Sequence, residues 1–140
     1  MKKGKGFTLI ELLVVLAVVG ILSILAMPRI SETWSEIKLD KMYEQVSAIV
    51  KASHDSHGNK ASYAGLNMTA IKDIVGTKIG DGVGKNPWGG NYTVAPGSPA
   101  TNIVVTVTAV PTILGTKAAL KYDDATYATA SGTLTITFAP

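Results

Sequence analysis

Glu11 is a carboxylate inside an otherwise apolar run, and that placement is the strongest chemical signal in the chain. Residues 7–27 read FTLIELLVVLAVVGILSILAM, in which Thr8, Glu11 and Ser23 are the polar side chains. A carboxylate at the centre of a membrane helix costs ~2.5–3.5 kcal/mol on insertion scales, so such a residue points to a function and to a partner of opposite charge. One reading keeps Glu11 at the membrane edge, snorkelling towards Lys2, Lys3 and Lys5. The other begins with a cut between Gly6 and Phe7, where the basic leader meets the apolar run. Phe7 would then carry an α-amine of pKa ~7.7–8.0, one helical turn from Glu11. In a low dielectric the amine and the carboxylate each need the other. The partner amine can belong to the same chain or to a neighbouring copy. The second arrangement would set an axial stagger between identical subunits.

Other candidate chemistries are weaker. His54 and His57 flank Asp55, with Asn59 beyond, a spacing that holds metal only on a helix, yet the stretch reads as turn residues. Asp123 and Asp124 are adjacent rather than spaced as calcium ligands. The glycines at 76, 80, 82, 84, 89 and 90 lack the strand–loop–helix order and the G-K-[ST] of a phosphate cradle. Both histidines sit in one hydrophilic turn, so no Ser-His-Asp case arises. Tyr122 and Tyr127 read as packing residues in a late loop. With no cysteine, disulfides, cysteine-ligated zinc and iron–sulfur clusters are excluded. No catalytic residue, metal or cofactor is expected.

The elements that position Glu11 follow from composition. Of the 140 residues 46% are hydrophobic and 16% charged, and mean hydropathy is +0.27. The excess lies in residues 7–27; the remainder has an ordinary polar surface. The net charge of +3 belongs to the leader, since without its three lysines ten basic residues face ten acidic ones. Nucleic acid is therefore not expected as a primary partner. As a helix, residues 7–27 cover about 32 Å, a bilayer's hydrocarbon thickness. A cleaved signal peptide would have an apolar stretch of ~7–15 residues ending in small ones, which Ile24-Leu25-Ala26-Met27-Pro28 does not match.

Beyond Pro28 the helix continues in amphipathic form, with Ile30, Trp34, Ile37, Leu39, Met42, Val46, Ile49 and Val50 at helical spacing. The pattern predicts one helix over 7–53, kinked at Pro28 with a second weak point at Gly20, and a turn at 54–59. A short helix over 67–76, a glycine-rich loop over 78–90, strands at 91–94, 103–110 and 133–138, a helix over 111–122 and a loop over 123–132 follow. The fold class is α+β, a small antiparallel sheet on the second half of the long helix.

Gly6-Phe7-Thr8-Leu9-Ile10-Glu11, the short basic leader, the apolar stretch and Pro28 together resemble the N-terminal signature of type IV pilins and type II secretion pseudopilins. The resemblance implies that a prepilin peptidase cuts between Gly6 and Phe7 and methylates Phe7, that Glu11 is the assembly glutamate, and that Pro28 is the helix-breaking proline. It also implies three parts: a leader (1–6), a transmembrane and filament-core half-helix (7–27) and an α+β head (28–140). The precursor would sit in the inner membrane, with its head outside the cytoplasm, before the assembly machinery builds a homopolymer, an extracellular pilus or a periplasmic pseudopilus. Asn86-Pro87-Trp88-Gly89-Gly90-Asn91-Tyr92 is similar to segments of both major pseudopilins and type IVb pilins. The run from Ile103 to Pro111 is more like the latter. The disulfide that closes many pilin heads is missing, and no calcium loop is evident. Exposed loops at 61–65, 80–85 and 123–132 would carry specificity. The competing reading is a membrane-tethered enzyme or binding module, in which Glu11 would be dispensable.

Overall fold

The computed structural model describes residues 7–58, 61–76, 79 and 85–140, residues 28 and 29 by backbone alone. Two compact units divide the chain between Glu36 and Ile37. In the first unit helix α1 (Leu9–His57) begins, and its apolar residues from Leu9 to Met27 are exposed on every face. The helix continues unbroken through Gly20 and Pro28. Ser23 turns its hydroxyl back to the Val19 carbonyl at 2.7 Å, so its polar group is satisfied within the helix. Of the helices among the described residues, α1 is long and apolar enough to cross a membrane.

The second unit is the head. Leu39, Met42, Val46, Ile49 and Ala52 form one face of α1 and are buried in a single core. Helix α2 (Met68–Val75) contributes Ile71 and Val75. It starts where Asn67 accepts the Ala70 amide at 2.9 Å and ends at Gly76, whose φ is +55°. Strands β1 (Tyr92–Pro96), β2 (Ile103–Val107), β3 (Ala125–Ala128) and β4 (Thr133–Phe138) form an antiparallel sheet in the order β1-β2-β4-β3. Val94, Val105 and Ile136 line up across three strands, as do Tyr92, Val107 and Leu134, and all six are buried. This inward row meets α1 and α2, as the alternation of β-branched residues requires. Helix α3 (Thr112–Ala119) lies between β2 and β3 in sequence.

Four expectations need correction. Helix α1 does not stop before His54; it continues to His57, because Ser53 and Ser56 bond carbonyls within the helix and Gly58, at φ +53°, takes the left-handed terminus. The expected loop at 123–132 contains β3, which pairs with β4 over four residues. Strand β2 ends at Val107, since Asn91 and Thr108 exchange bonds and Ala109 turns to φ +58°. Helix α3 ends at Ala119, three residues short of Tyr122. At Gly115 in α3 the Tyr127 ring fills the space a Cβ would need, and the Tyr127 hydroxyl donates to the Val110 carbonyl at 2.6 Å.

Tyr122 stands between Tyr43 and Phe138 in edge-to-face contacts of 6.0 and 5.7 Å between ring centroids. Lys121 Nζ lies 3.6 Å above the Tyr43 ring. Burial, with Tyr43 as a lesser cause, pushes the Tyr122 phenol up to about 12. The neutral phenol is the form the fold prefers, so the unfolded chain releases this proton first, near pH ~10. Stability from Tyr122 is therefore complete below pH ~10 and is lost as pH rises towards the folded value. Thermal unfolding of the full chain in detergent should show a steeper loss of Tm between pH 10 and 12 than below, reduced in Tyr122→Phe; an equal loss in both proteins contradicts this account.

Candidate processing and assembly site

The first turn of α1 is closed by a reciprocal pair. The Glu11 amide donates to Thr8 Oγ1 at 3.3 Å, and the Thr8 amide donates to Glu11 Oε2 at 3.2 Å. The Thr8 hydroxyl also donates to Oε2 at 3.2 Å, and the Leu12 amide donates to the Thr8 carbonyl. This is a capping box, in which residues three apart satisfy two amides that the helix leaves without partners. The signal was present in the sequence as Thr8-x-x-Glu11 ahead of an apolar run, and it places Thr8 beside Glu11 as a site residue. Glu11 also lies where the positive end of the helix dipole favours an anion.

All of Thr8's donation falls on Oε2, and among the described residues Oε1 takes no hydrogen bond. The carboxylate is thus oriented but has an oxygen left for a second donor. Phe7, just outside the helix, is 83% exposed. Gly6 lies outside the described residues. A cut before Phe7 would leave the Thr8 amide in place, so the capping box is chemically compatible with the shortened chain.

The remaining candidates resolve into structure. Tyr63 sits between His54 and His57, its hydroxyl bonded to His54 Nδ1 and its ring 5.5 and 5.4 Å from the two imidazoles. His57 Nδ1 pairs with the Ser56 hydroxyl at 3.0 Å. Among the described residues no group of three or more acidic or histidine side chains is placed to hold a metal. Asp124 gives its carbonyl to the Thr137 amide at 2.8 Å, extending the sheet edge. Residues 80–84 of the glycine-rich loop lie outside the described residues.

The Asn86–Asn91 segment is a built turn. Buried Asn86 accepts the amides of Trp88 and Gly90 on Oδ1 at 2.9 and 3.0 Å, while its Nδ2 donates to the Thr108 carbonyl. A Cβ on Gly90 would run into that same carbonyl. The turn clamps the start of β1 to the end of β2.

A family model described as the prokaryotic N-terminal methylation motif matches residues 1–27. A protein named "Fimbrial protein" from Pseudomonas aeruginosa is 38% identical over 56 residues, 40% of this chain and 36% of that protein. Residues 1–27 thus match a methylation motif, and part of the chain is similar to a fimbrial protein. "Fimbrial protein EcpB" from Eikenella corrodens is 35% identical over 48 residues, 34% of this chain and 30% of that protein. The aligned part thus spans about a third of the length of these curated relatives. No solved structure matches the chain. The pilin-like long helix is joined by an α+β head with a four-stranded antiparallel sheet.

Asn86→Ala removes three bonds to one buried side chain and should lower head stability by about 1–3 kcal/mol, with Gly90→Ala at least as harmful. Urea unfolding followed by tryptophan fluorescence measures both; an Asn86→Ala midpoint equal to that of the parent would contradict the assignment of this turn as a structural clamp.

Proposed function

We propose that this chain is the structural subunit of a type IV pilus. A prepilin peptidase cuts between Gly6 and Phe7 and methylates the new amine, residues 7–27 hold the subunit in the inner membrane, and the assembly machinery then draws it into a homopolymer. The observation that carries this reading is the Glu11 carboxylate, fixed at the head of an all-round apolar helix by Thr8 with Oε1 still available. The methylation-motif match and the fimbrial names of the relatives support it.

The energetics divide the labour. Lipid tails are as apolar as leucine, so a helix moving from bilayer to filament gains little from the hydrophobic effect. Close packing of residues 9–27 must hold the polymer together, and outside the membrane the same surface opposes dissociation into water. Neither term selects one axial position, because the half-helix presents similar side chains along its length. A buried carboxylate does, since it is satisfied only where a cationic nitrogen stands opposite. The Phe7 amine of a neighbouring copy is the donor this reading assigns. The role is mechanical, and no reaction is assigned to the head.

The test uses material sheared from the cell surface. Intact mass should give a chain beginning at N-methylated Phe7, and its recovery outside the cell separates a pilus from a periplasmic pseudopilus. Glu11→Ala should insert into the membrane as the parent does yet yield at least tenfold fewer filaments by electron microscopy. A retained Met1, or undiminished filaments from Glu11→Ala, overturns the proposal and favours a simple membrane tether.

A further inference from the structure

The tyrosine hydroxyls of the head fall into two groups. Those of Tyr92 and Tyr127 are used inside the fold, on Gln45 at 2.7 Å and on the Val110 carbonyl at 2.6 Å, and that of Tyr63 pairs with His54. Those of Tyr43 and Tyr122 make no hydrogen bond among the described residues, although both rings are half-buried. The serines of α1 show the same contrast. Ser23, Ser35 and Ser53 turn their hydroxyls back to carbonyls of the helix, whereas the Ser47 hydroxyl bonds nothing among the described residues.

The three spare hydroxyls lie together. Tyr43, Ser47 and Tyr122 line one groove of about 290 Å³, with Val46 and Phe138 as apolar wall and Lys121 beside them. The volume is at the small end for a ligand site and has room for a single ring. Burial raises the Tyr43 phenol, with Asp40 as a lesser cause, and pushes that of Tyr122 up to about 12. Both are therefore protonated at neutral pH and can donate as well as accept. The Lys121 ammonium, 3.6 Å above the Tyr43 ring, pairs with no carboxylate among the described residues.

These groups define the chemistry of an occupant. One ammonium, which only donates, matches a single negative charge. Hydroxyls that donate and accept match other hydroxyls, and ring faces match an apolar face. An aromatic acid meets the first and last of these demands but brings nothing for the three hydroxyls. A sugar ring bearing a carboxylate meets all of them. We propose that this groove binds an acidic sugar, with its carboxylate on Lys121, its hydroxyls on Tyr43, Ser47 and Tyr122, and its C–H face against the aromatic wall. Ser47 and Lys121 are exposed, so the groove is open to solvent on their side and the ring can belong to a longer chain.

The experiment titrates the full chain by calorimetry, in a polyoxyethylene detergent that brings no sugar of its own, with galacturonate, tetragalacturonate, cellotetraose and benzoate. Both acidic sugars should bind about tenfold tighter than cellotetraose or benzoate. Lys121→Gln should weaken them about tenfold, and Ser47→Ala and Tyr122→Phe about threefold each, while Lys121→Arg, which keeps the charge, binds as the parent does. A tighter tetramer supports a polysaccharide as the source, and equal affinities support the free acid. No binding of either acidic sugar at millimolar concentration, as expected of a groove closed by a second copy, overturns the proposal. So does equal binding of galacturonate and benzoate, or unchanged affinity in Lys121→Gln. None of these outcomes touches the pilus reading, because the groove lies wholly within the head.

Discussion

A helix that is apolar on every face cannot remain in water, and the rest of this protein is arranged around that constraint. From Leu9 to Met27 the large apolar side chains of α1 are exposed on every face. Two environments accept such a surface, lipid and other copies of itself, and they are close to equal in hydrophobic free energy. A subunit built this way can pass between them without a large change in apolar burial. What distinguishes the two environments must be polar, and the apolar stretch offers little that is: Thr8, Glu11 and Ser23, with Ser23 already satisfied within its own helix.

The capping box places the remaining two in one unit. Thr8 satisfies the Glu11 amide and in return anchors one carboxylate oxygen, so the side chain is held at the helix head instead of sweeping through its rotamers. An oriented carboxylate loses less freedom when it meets a cation, which is the sense in which the first turn is pre-organised. Proteolysis before Phe7 would then supply the amine at the same end of the helix. The head, with its own core, is not needed for this chemistry. Its construction, a sheet closed by the Asn86 clamp and by Tyr127 over Gly115, gives it a stable body of its own.

The parts of this arrangement that rest on periodicity were legible from residues alone. The long helix, the α2 cap at Asn67 and the β4 strand from Thr133 to Phe138 each announce themselves by spacing and residue type. The end of α1 was obscured because serine and histidine favour turns, yet here Ser53 and Ser56 turn inward to carbonyls. Strand β3 was hidden because Ala-Thr-Tyr-Ala has little apolar alternation; its pairing with β4 supplies the order instead. Gly115 reads as a defect in one dimension and as a socket for Tyr127 in three. At the site, Glu11 stands out by its setting, while Thr8 is marked only by its spacing of three from Glu11, a short pattern that the reciprocal bonds turn into a capping box.

In the pilus proposed above, the Glu11 carboxylate meets the Phe7 amine of another copy and so sets the stagger between subunits. A filament map at side-chain resolution tests it most directly. The account requires Glu11 Oε1 within hydrogen-bond distance of a neighbouring subunit's Phe7 nitrogen, repeated along the whole polymer. A carboxylate facing solvent, or enclosed by apolar side chains with no nitrogen opposite, would contradict it.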